Sequence, residues 1–293
     1  MKEDLAVNKS NFSQGKRFLL KGFHVLLLLP AVFIISLAVI FPLLIVLRES
    51  FIDRQGNYSF FQYVATFSNR FFLMSLGYTV LVGLGVAFLS IVISLPLSYF
   101  LARNEKLRNF MLGIVTVTRM LPFYVLGYTM ILLFAPHTGL INQIFYRNLG
   151  LFNEPLNILF SWQSLCLALL YLRTVMTTAM LTGIIQEINP NLETAAMSMG
   201  AGKFTAFRKI ILPLSSSGII AAFSLSFAEN IAAFAVPLML SGKGLPMVSL
   251  LIRQALLFIP DRNLASAYAV VVGIVSITCV LFANHMVKRG INV

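Results

Sequence analysis

The chain has 293 residues, of which 58% are hydrophobic and 11% are charged. Soluble domains usually carry about 25% charged residues, so this composition argues against an ordinary water-soluble domain and for a chain that lies in lipid. The net charge of +12 is spread between apolar runs, which argues against a nucleic-acid partner and is typical of charge that orients a membrane protein.

The N-terminal region reads as a basic arm followed by a first membrane span. Residues 1–23 carry five Lys and Arg residues, and we expect this arm to be cytoplasmic and to touch anionic membrane lipid. The apolar run 24–47 is longer than the roughly 7–15 apolar residues of a signal peptide, and no small-residue cleavage site follows it. We therefore expect this run to be retained as the first span.

Six apolar runs reach the length of roughly 20 residues that crosses a bilayer as a helix. The pattern predicts an all-α integral membrane protein with six transmembrane helices that form one domain over residues 24–293. Pro122 and Pro237 lie inside two of the runs, either as ordinary packing kinks or as bends in helices that line a pathway. The predicted spans are 24–47, 72–102, 110–134, 161–185, 214–240 and 264–287.

The Lys and Arg residues between the spans are unevenly divided between the two sides. Thirteen fall on the side of the N-terminal arm and seven on the other side. Because positive charge is enriched in cytoplasmic loops, we expect both termini and the segment 186–213 to be cytoplasmic. The loops 135–160 and 241–263 keep an amphipathic pattern, which predicts short helices along the outer face.

The segment 189–213 is polar and predicts a hairpin of two short helices between the fourth and fifth spans. Asn189 and Pro190 are typical of a helix start, and Gly200 is typical of a helix end in the left-handed conformation. A second helix is expected from Lys203. The hairpin is either a simple connection or a docking surface, and its small apolar face is formed by Leu192, Ala195, Ala196 and Met199.

Two stretches of the chain resemble a known family. The stretch "ETAAMSMGAGKFTAFRKIILPL" is similar to the EAA loop of permease subunits of binding-protein-dependent type I ABC importers. "TVLVGLGVAFLSIVISLPLSYFLAR" is similar to the signature of their second span. The paired alanines, the Gly-Ala step and the Leu-Pro step match. Thr194 stands where the family usually has Glu, with Glu193 one position earlier, and Ser217-Gly218 replaces a frequent Pro-Gly.

The resemblance implies how such a chain works. In these importers the loop is a coupling helix that enters a groove on a cytoplasmic ATPase. The partners implied are two ATPase subunits, which use ATP and Mg, a second permease subunit that is identical or a paralogue, and an extracytoplasmic binding protein that delivers the solute. The chain has no phosphate-binding loop and binds no cofactor itself. The implied ATPase-coupling residues are Glu193, Thr194, Ala195, Ala196, Met199, Gly200, Ala201, Lys203 and Phe204.

Three charged residues fall within or near predicted spans, where a charge at the bilayer centre costs about 2.5–3.5 kcal/mol on insertion scales. Glu229, with Asn230 beside it, is the best candidate for a translocation pathway, and Arg119 and Arg173 are further candidates. Internal pairing of Glu229 with one of the arginines is an equal alternative, and it does not exclude a place in the pathway. Glu229 favours a cationic solute and the arginines an anionic one. "AFAVPLMLSGKG" resembles permeases for polyamines, ferric iron and phosphonates.

Two other classes of protein compete with this reading. An ion-coupled secondary transporter requires an inverted repeat and more spans, and neither is evident. A membrane-embedded enzyme requires a convergent set of catalytic side chains or metal ligands. His24, His137 and His285 are scattered, and Cys166 and Cys279 lie in separate apolar runs. The expected protein is therefore a bacterial inner-membrane permease without catalytic or metal-binding residues.

Overall fold

The structure is a computed structural model that describes residues 30, 32–53, 55–242, 244–259 and 261–291, with side chains up to residue 285. The predicted basic arm therefore lies outside the described residues. Helices form most of the described part. They are α1 Val32–Ser50, α2 Phe61–Ser68, α3 Arg70–Ala102, α4 Glu105–Met120, α5 Phe123–Phe134, α6 Leu140–Asn142, α7 Trp162–Gln186, α8 Asn191–Ser198, α9 Lys203–Ala206, α10 Leu212–Leu214, α11 Ser216–Ile231, α12 Ala235–Leu240, α13 Val248–Leu257 and α14 Arg262–Ile291.

Four helices are long and apolar enough to cross a membrane alone, namely α1, α3, α7 and α14. They confirm four of the predicted spans, although the start of the first prediction precedes the described residues. Two bent pairs of helices raise the number of candidate spans to six within the described part. They are α4 with α5, and the helical segment Lys203–Leu214 with α11, whose axes differ by 69°. The fold is thus the all-α, multi-span architecture that the apolar runs predict. We call the end that carries α8 and α9 the hairpin end, and the end that carries α6 and α13 the far end.

The third span is not one helix, contrary to the prediction over 110–134. Helix α4 ends at Met120, α5 begins at Phe123, and their axes differ by 104°. Leu121 between them is extended, with ψ of 129°. A proline disfavours the helical conformation of the residue before it, so Pro122 accounts for the break. The bend is much sharper than a proline kink in a continuous helix.

The fifth span is also broken, and the prediction of one helix over 214–240 is wrong. Helix α11 ends at Ile231 and α12 begins at Ala235. Pro237 has no N–H group to donate to the carbonyl of Ala233, four residues earlier. The Ser249 hydroxyl donates to that carbonyl instead, at 2.7 Å. Buried backbone in a membrane protein needs such a partner, so α13 helps to stabilise the break.

Helix α3 lies at the centre of the bundle and packs against α7 through hydroxyl groups. Ser94 donates to the Thr174 carbonyl at 3.1 Å, and Ser98 donates to the Thr178 carbonyl at 3.2 Å. The Thr178 hydroxyl in turn lies 3.0 Å from that of Ser94. Small side chains let two helix backbones approach closely in a membrane, and hydrogen bonds then hold them together. The apolar core lies on both sides of this seam.

The two loops with amphipathic patterns do form short helices at the far end. Helix α6 continues as a π-helical turn over Gln143–Asn148. Helix α13 is attached to the bundle, because Val248 and Leu251 are buried against Phe72 and Tyr268, whose rings stack at 4.3 Å. The prediction of short helices in these loops is therefore confirmed. Their position relative to a membrane surface stays a prediction.

Candidate functional site

The hairpin begins as its sequence predicts, with a shift of one residue. The Asn189 side chain accepts a hydrogen bond from the Asn191 backbone N–H at 2.9 Å, so it caps the start of α8. Pro190 immediately precedes the helix and already has helical φ and ψ values. The local chemistry of Asn and Pro thus determines where the polar segment turns into a helix.

Gly200 forms the turn between the two helices of the hairpin. Its φ is +89°, in the left-handed region that favours glycine. The N–H of Ala201 bonds to the Ala196 carbonyl at 3.0 Å, and the N–H of Gly200 bonds to the Met197 carbonyl at 3.0 Å. These two bonds form a Schellman motif, which satisfies the last carbonyls of α8. The predicted bend at Gly200 is confirmed.

Most of the predicted docking residues are exposed on the hairpin. Met199 is 83% exposed and Phe204 is 75% exposed, high values for large apolar side chains. Thr194 is also exposed, and its hydroxyl makes only a long bond of 3.4 Å to the Pro190 carbonyl. Small or polar positions complete this surface. They are Ala195, Ala196, Gly200, Ala201 and Lys203, of which Ala196 and Ala201 are half-buried.

Glu193 differs from the other predicted docking residues because it is only 6% exposed. Its carboxylate forms an ion pair with Arg103, whose Nε lies 2.9 Å from Oε1. The Tyr99 hydroxyl donates to Oε2 at 2.6 Å. Arg103 also reaches the Ile188 carbonyl, at 3.4 Å. Glu193 therefore joins α8 to the end of α3 and faces away from the exposed surface.

Apolar contacts strengthen the same junction. The Tyr99 ring packs on Phe207 with ring centres 5.1 Å apart. Phe207 opens the π-helical turn Phe207–Ile211 that continues α9 into α10. Ile185 and Ile211 are fully buried beneath this contact. The hairpin is thus attached to the ends of α3 and α7 at its base, while its tip carries exposed apolar side chains.

A second polar cluster lies between α7 and α11, where the pathway candidates meet. Arg173 and Glu229 form an ion pair. Arg173 Nε donates to the Asn230 side-chain oxygen at 2.9 Å, and the Asn230 amide donates to the Gly83 carbonyl at 3.2 Å. The internal pairing of Glu229 with an arginine is therefore confirmed. The cluster links three helices because Gly83 belongs to α3.

Arg119 is exposed, on the last turn of α4, and shares one cavity with this ion pair. The cavity has a volume of about 380 Å³ and is bounded by α4, α7 and α11. Among the described residues, no ion-pair partner of Arg119 is found. The structure thus brings all four pathway candidates to one region, although pairing involves only Arg173.

Sequence reasoning missed three residues of these clusters, namely Tyr99, Arg103 and Gly83. Tyr99 and Arg103 stand in the signature "PLSYFLAR" at a spacing of four, which places them on one face of α3. That spacing, together with the carboxylate of Glu193 in the polar loop, was a usable signal. Gly83 contributes only its carbonyl, and no side-chain pattern predicts such a contact.

The described part of the chain shows neither a cluster of metal ligands nor a disulfide. There, no group of three His, Cys, Asp or Glu residues is placed to hold a metal ion. Cys166 and Cys279 are free and half-buried.

These features define a multi-span membrane protein with a polar cluster inside the bundle and a structured hairpin at one end. The chain belongs to the family of binding-protein-dependent transport system inner membrane components, which it matches over residues 94–292. It is therefore an inner-membrane permease subunit of a binding-protein-dependent ABC importer. The predicted membership of this family is thereby confirmed.

Relatives with known roles transport several kinds of solute. The spermidine/putrescine transport system permease protein PotB of Haemophilus influenzae is 26% identical over 268 residues, which cover 86% of this chain and 91% of PotB. The molybdenum transport system permease protein ModB of the same organism is 30% identical over 156 residues, 52% of this chain and 66% of ModB.

Solved structures share the fold at lower sequence identity. A bacterial ABC transporter involved in the import of the acidic polysaccharide alginate has a chain similar to this one, with a TM-score of 0.77 and 18% identity. The match covers 93% of this chain and 98% of that chain. The MetNI methionine ABC transporter gives a TM-score of 0.58 at 19% identity, covering 75% of this chain and 95% of its own.

Proposed function

We propose that this permease is driven by two separate ATPase subunits that dock on the exposed surface of the α8–α9 hairpin. The observation that carries the proposal is the combination of an exposed apolar tip and a base fixed to α3 and α7. Met199 and Phe204 supply the apolar contact, and the small residues around Ala195 allow a partner backbone to come close. ATP and Mg are used by the partner subunits, and this chain binds no cofactor.

Within the hairpin, Glu193 has a positioning role in this proposal and does not contact the ATPase directly. Its carboxylate is occupied by Arg103 and Tyr99. A push on α8 is therefore transmitted to α3 through an ion pair and hydrogen bonds. Thr194, where the family usually has Glu, is the exposed polar group next to the docking face.

The remaining partners follow from the family and complete the transport cycle. A second permease subunit, identical or a paralogue, forms the other half of the pathway. An extracytoplasmic binding protein delivers the solute at the far end, and both termini and the hairpin are cytoplasmic. The solute is a small polar compound, in the range of polyamines, ferric iron and phosphonates. Arg119, Arg173 and Glu229 line its path, and the buried Asn230 holds Arg173 in place.

The docking claim is tested by purifying the affinity-tagged chain from its native membrane and measuring how much ATPase subunit accompanies it. Phe204→Asp and Met199→Asp each place a charge in the proposed interface and should weaken binding by about 2 kcal/mol or more, as expected for an anchor residue. Gly200→Asp and deletion of residues 195–203 should abolish binding. Leu151→Asp, which changes an exposed apolar residue of the far end, is the matched control.

Retention of the ATPase by the Phe204 and Met199 variants at the control level would show that the partner docks elsewhere. Loss of the ATPase in the Leu151→Asp control as well would point to general instability. Thermal unfolding of each purified variant separates that case from a local interface effect. ATP hydrolysis by the co-purified complex then shows whether the retained partner is functional.

A further inference from the structure

Two half-open cavities of the bundle meet at a single ion pair. The cavity of about 380 Å³ extends toward the hairpin end and includes Val115 and Met180. A second cavity, of about 430 Å³, extends toward the far end and includes Leu169 and Phe234. Arg173 and Glu229 are the two residues that line both. The ion pair therefore stands at the boundary between the two spaces.

The two halves of the ion pair are held unequally. The Arg173 side chain is 9% exposed and has a second hydrogen bond, to Asn230, which is itself anchored on α3. The Glu229 side chain is 44% exposed, and Arg173 is its one partner among the described residues. Glu229 also lies two residues before the end of α11, next to the break at Ala232–Phe234. Glu229 is thus the partner that can move away and break the ion pair with Arg173.

Removal of Glu229 would leave the buried Arg173 cation without a counter-charge. An unpaired buried charge is strongly unfavourable, whereas a half-exposed carboxylate can be hydrated inside the cavity. A solute that carries an anionic group supplies the missing charge, and a guanidinium binds carboxylate and phosphate-like oxygens well. Arg119 adds a second positive charge to the hairpin-side cavity.

We propose that the Arg173–Glu229 pair is a gate between the two cavities and that an anionic group of the solute opens it by replacing Glu229 on Arg173. The proposal rests on the proposed function, because it assumes that solute passes along this side of the bundle. It narrows the solute class to anions. A cationic solute offers nothing to Arg173 and is repelled by Arg119.

The gate is tested by thiol modification in the full chain with Cys166 and Cys279 replaced by Ser. Leu225→Cys reports on the hairpin-side cavity and Ala232→Cys on the far-side cavity. A small impermeant methanethiosulfonate is added from the hairpin side alone. Ala232→Cys should react about tenfold more slowly than Leu225→Cys, because a charged hydrogen bond favours the closed state by at least that factor.

Adding Glu229→Ala should bring the Ala232→Cys rate close to that of Leu225→Cys. Glu229→Gln is a second variant that removes the charge and keeps the shape. Equal rates at the two positions in the parent chain, or no acceleration by either Glu229 variant, would overturn the gate. The ATPase in the same membranes is assayed separately, so a failed gate and a failed docking interface give different results.

The charge preference is tested with two reagents, the anionic sulfonatoethyl and the cationic trimethylammonioethyl methanethiosulfonate. At Leu225→Cys, Arg119→Gln should slow the anionic reagent and speed the cationic one by about fourfold each, the effect of one unit charge about 10 Å away at a dielectric constant of about 40. Lys209→Gln, which removes a charge from the exposed hairpin, is the matched control and should change neither rate.

The same pair of reagents is then compared at Ala232→Cys, beyond the gate. The ratio of anionic to cationic rates should be higher there than at Leu225→Cys, because the anionic reagent can replace Glu229 during its passage. A preference for the cationic reagent at Ala232→Cys would overturn the anion assignment and make Glu229 the group that meets the solute.

Discussion

At the scale of single residues, a shift of one position changes what a carboxylate does. The family pattern has Glu where this chain has Thr194, and Glu193 stands one residue earlier. On α8 that shift turns the side chain from the exposed surface to the end of α3, where Arg103 and Tyr99 bind it. A largely buried carboxylate needs such partners, because desolvation without them is costly.

Glu193→Ala should loosen α8 from the bundle. The Arg103 guanidinium would lose its ion-pair partner, and hydrogen bonds to charged groups contribute about 1.5–3 kcal/mol. Hydrogen exchange of the backbone amides of α8 in the full chain measures this loosening as faster exchange. Thr194→Ala, at the exposed neighbouring position, is the matched control and should leave the exchange rates nearly unchanged.

The double change Glu193→Arg with Arg103→Glu should recover part of the lost protection, because it restores an ion pair with reversed polarity. Similar exchange rates for Glu193→Ala and Thr194→Ala would contradict the positioning role. In that case the apolar contact of Tyr99 with Phe207 would be sufficient to hold the hairpin.

At the scale of helices, two of the apolar runs contain breaks that their hydropathy does not reveal. Both breaks lie beside the cavities that Arg173 and Glu229 line. The sequence stays apolar through Leu121 and through Ala232–Phe234, so hydropathy predicts continuous spans. Prolines break both, and Ser249 satisfies the carbonyl that Pro237 leaves free. Helix contacts are also decided by single small residues. At Gly218, an added Cβ atom would lie 2.5 Å from the Ile184 side chain, so α11 and α7 approach closely there.

Gly218→Ala should therefore destabilise the chain by about 1 kcal/mol, because overpacking costs about 1–3 kcal/mol and alanine, as the better helix former, offsets up to about 1 kcal/mol of that. Thermal unfolding of the purified chain in detergent measures the change as a lower Tm. Gly183→Ala is the matched control, because a Cβ atom there meets nothing within 4 Å and alanine is the better helix former.

Combining Gly218→Ala with Ile184→Ala should recover part of the stability, since the shorter side chain makes room for the new methyl group. An equal Tm for Gly218→Ala and Gly183→Ala would falsify the close approach of α11 to α7. A still lower Tm in the double variant would mean that the lost packing of Ile184 costs more stability than its overlap with the new methyl group.

At the scale of the whole molecule, the charge division between the spans coincides with the two ends of the bundle. The hairpin end carries Arg103, Lys203 and Lys209, and the far end carries Arg147 and Arg253. Because successive spans cross the bundle in opposite directions, the segments that connect them lie at the two ends in turn. The orientation of the two ends in the membrane remains a prediction from the excess of positive charge.

Cysteine labelling checks this orientation in a chain with Cys166 and Cys279 replaced by Ser. Thr205→Cys lies on the exposed hairpin and Leu151→Cys on an exposed loop of the far end. An impermeant thiol reagent applied to spheroplasts should label Leu151→Cys alone, and in inverted membrane vesicles it should label Thr205→Cys alone. The opposite pattern would place the hairpin outside and remove the basis for coupling to a cytoplasmic ATPase.

The sequence by itself determined the class of fold, the existence of the spans and the turn of the hairpin. These features depend on local properties, namely the length of apolar runs and the backbone freedom of Gly200, which residues carry wherever they are placed. The family pattern likewise follows from residues that are close in the chain. The substrate class does not follow from this pattern, because relatives of similar identity transport chemically different solutes.

Only the tertiary structure decided where the spans break and which charges meet. Arg173 and Glu229 are 56 positions apart, and Arg103 and Glu193 are 90 apart. The sequence could not show whether Glu229 is paired inside the bundle, because a paired and an unpaired carboxylate both put a charge in a span. Pairing is a property of packed helices, since a buried charge is stabilised by whichever partner the fold brings within reach.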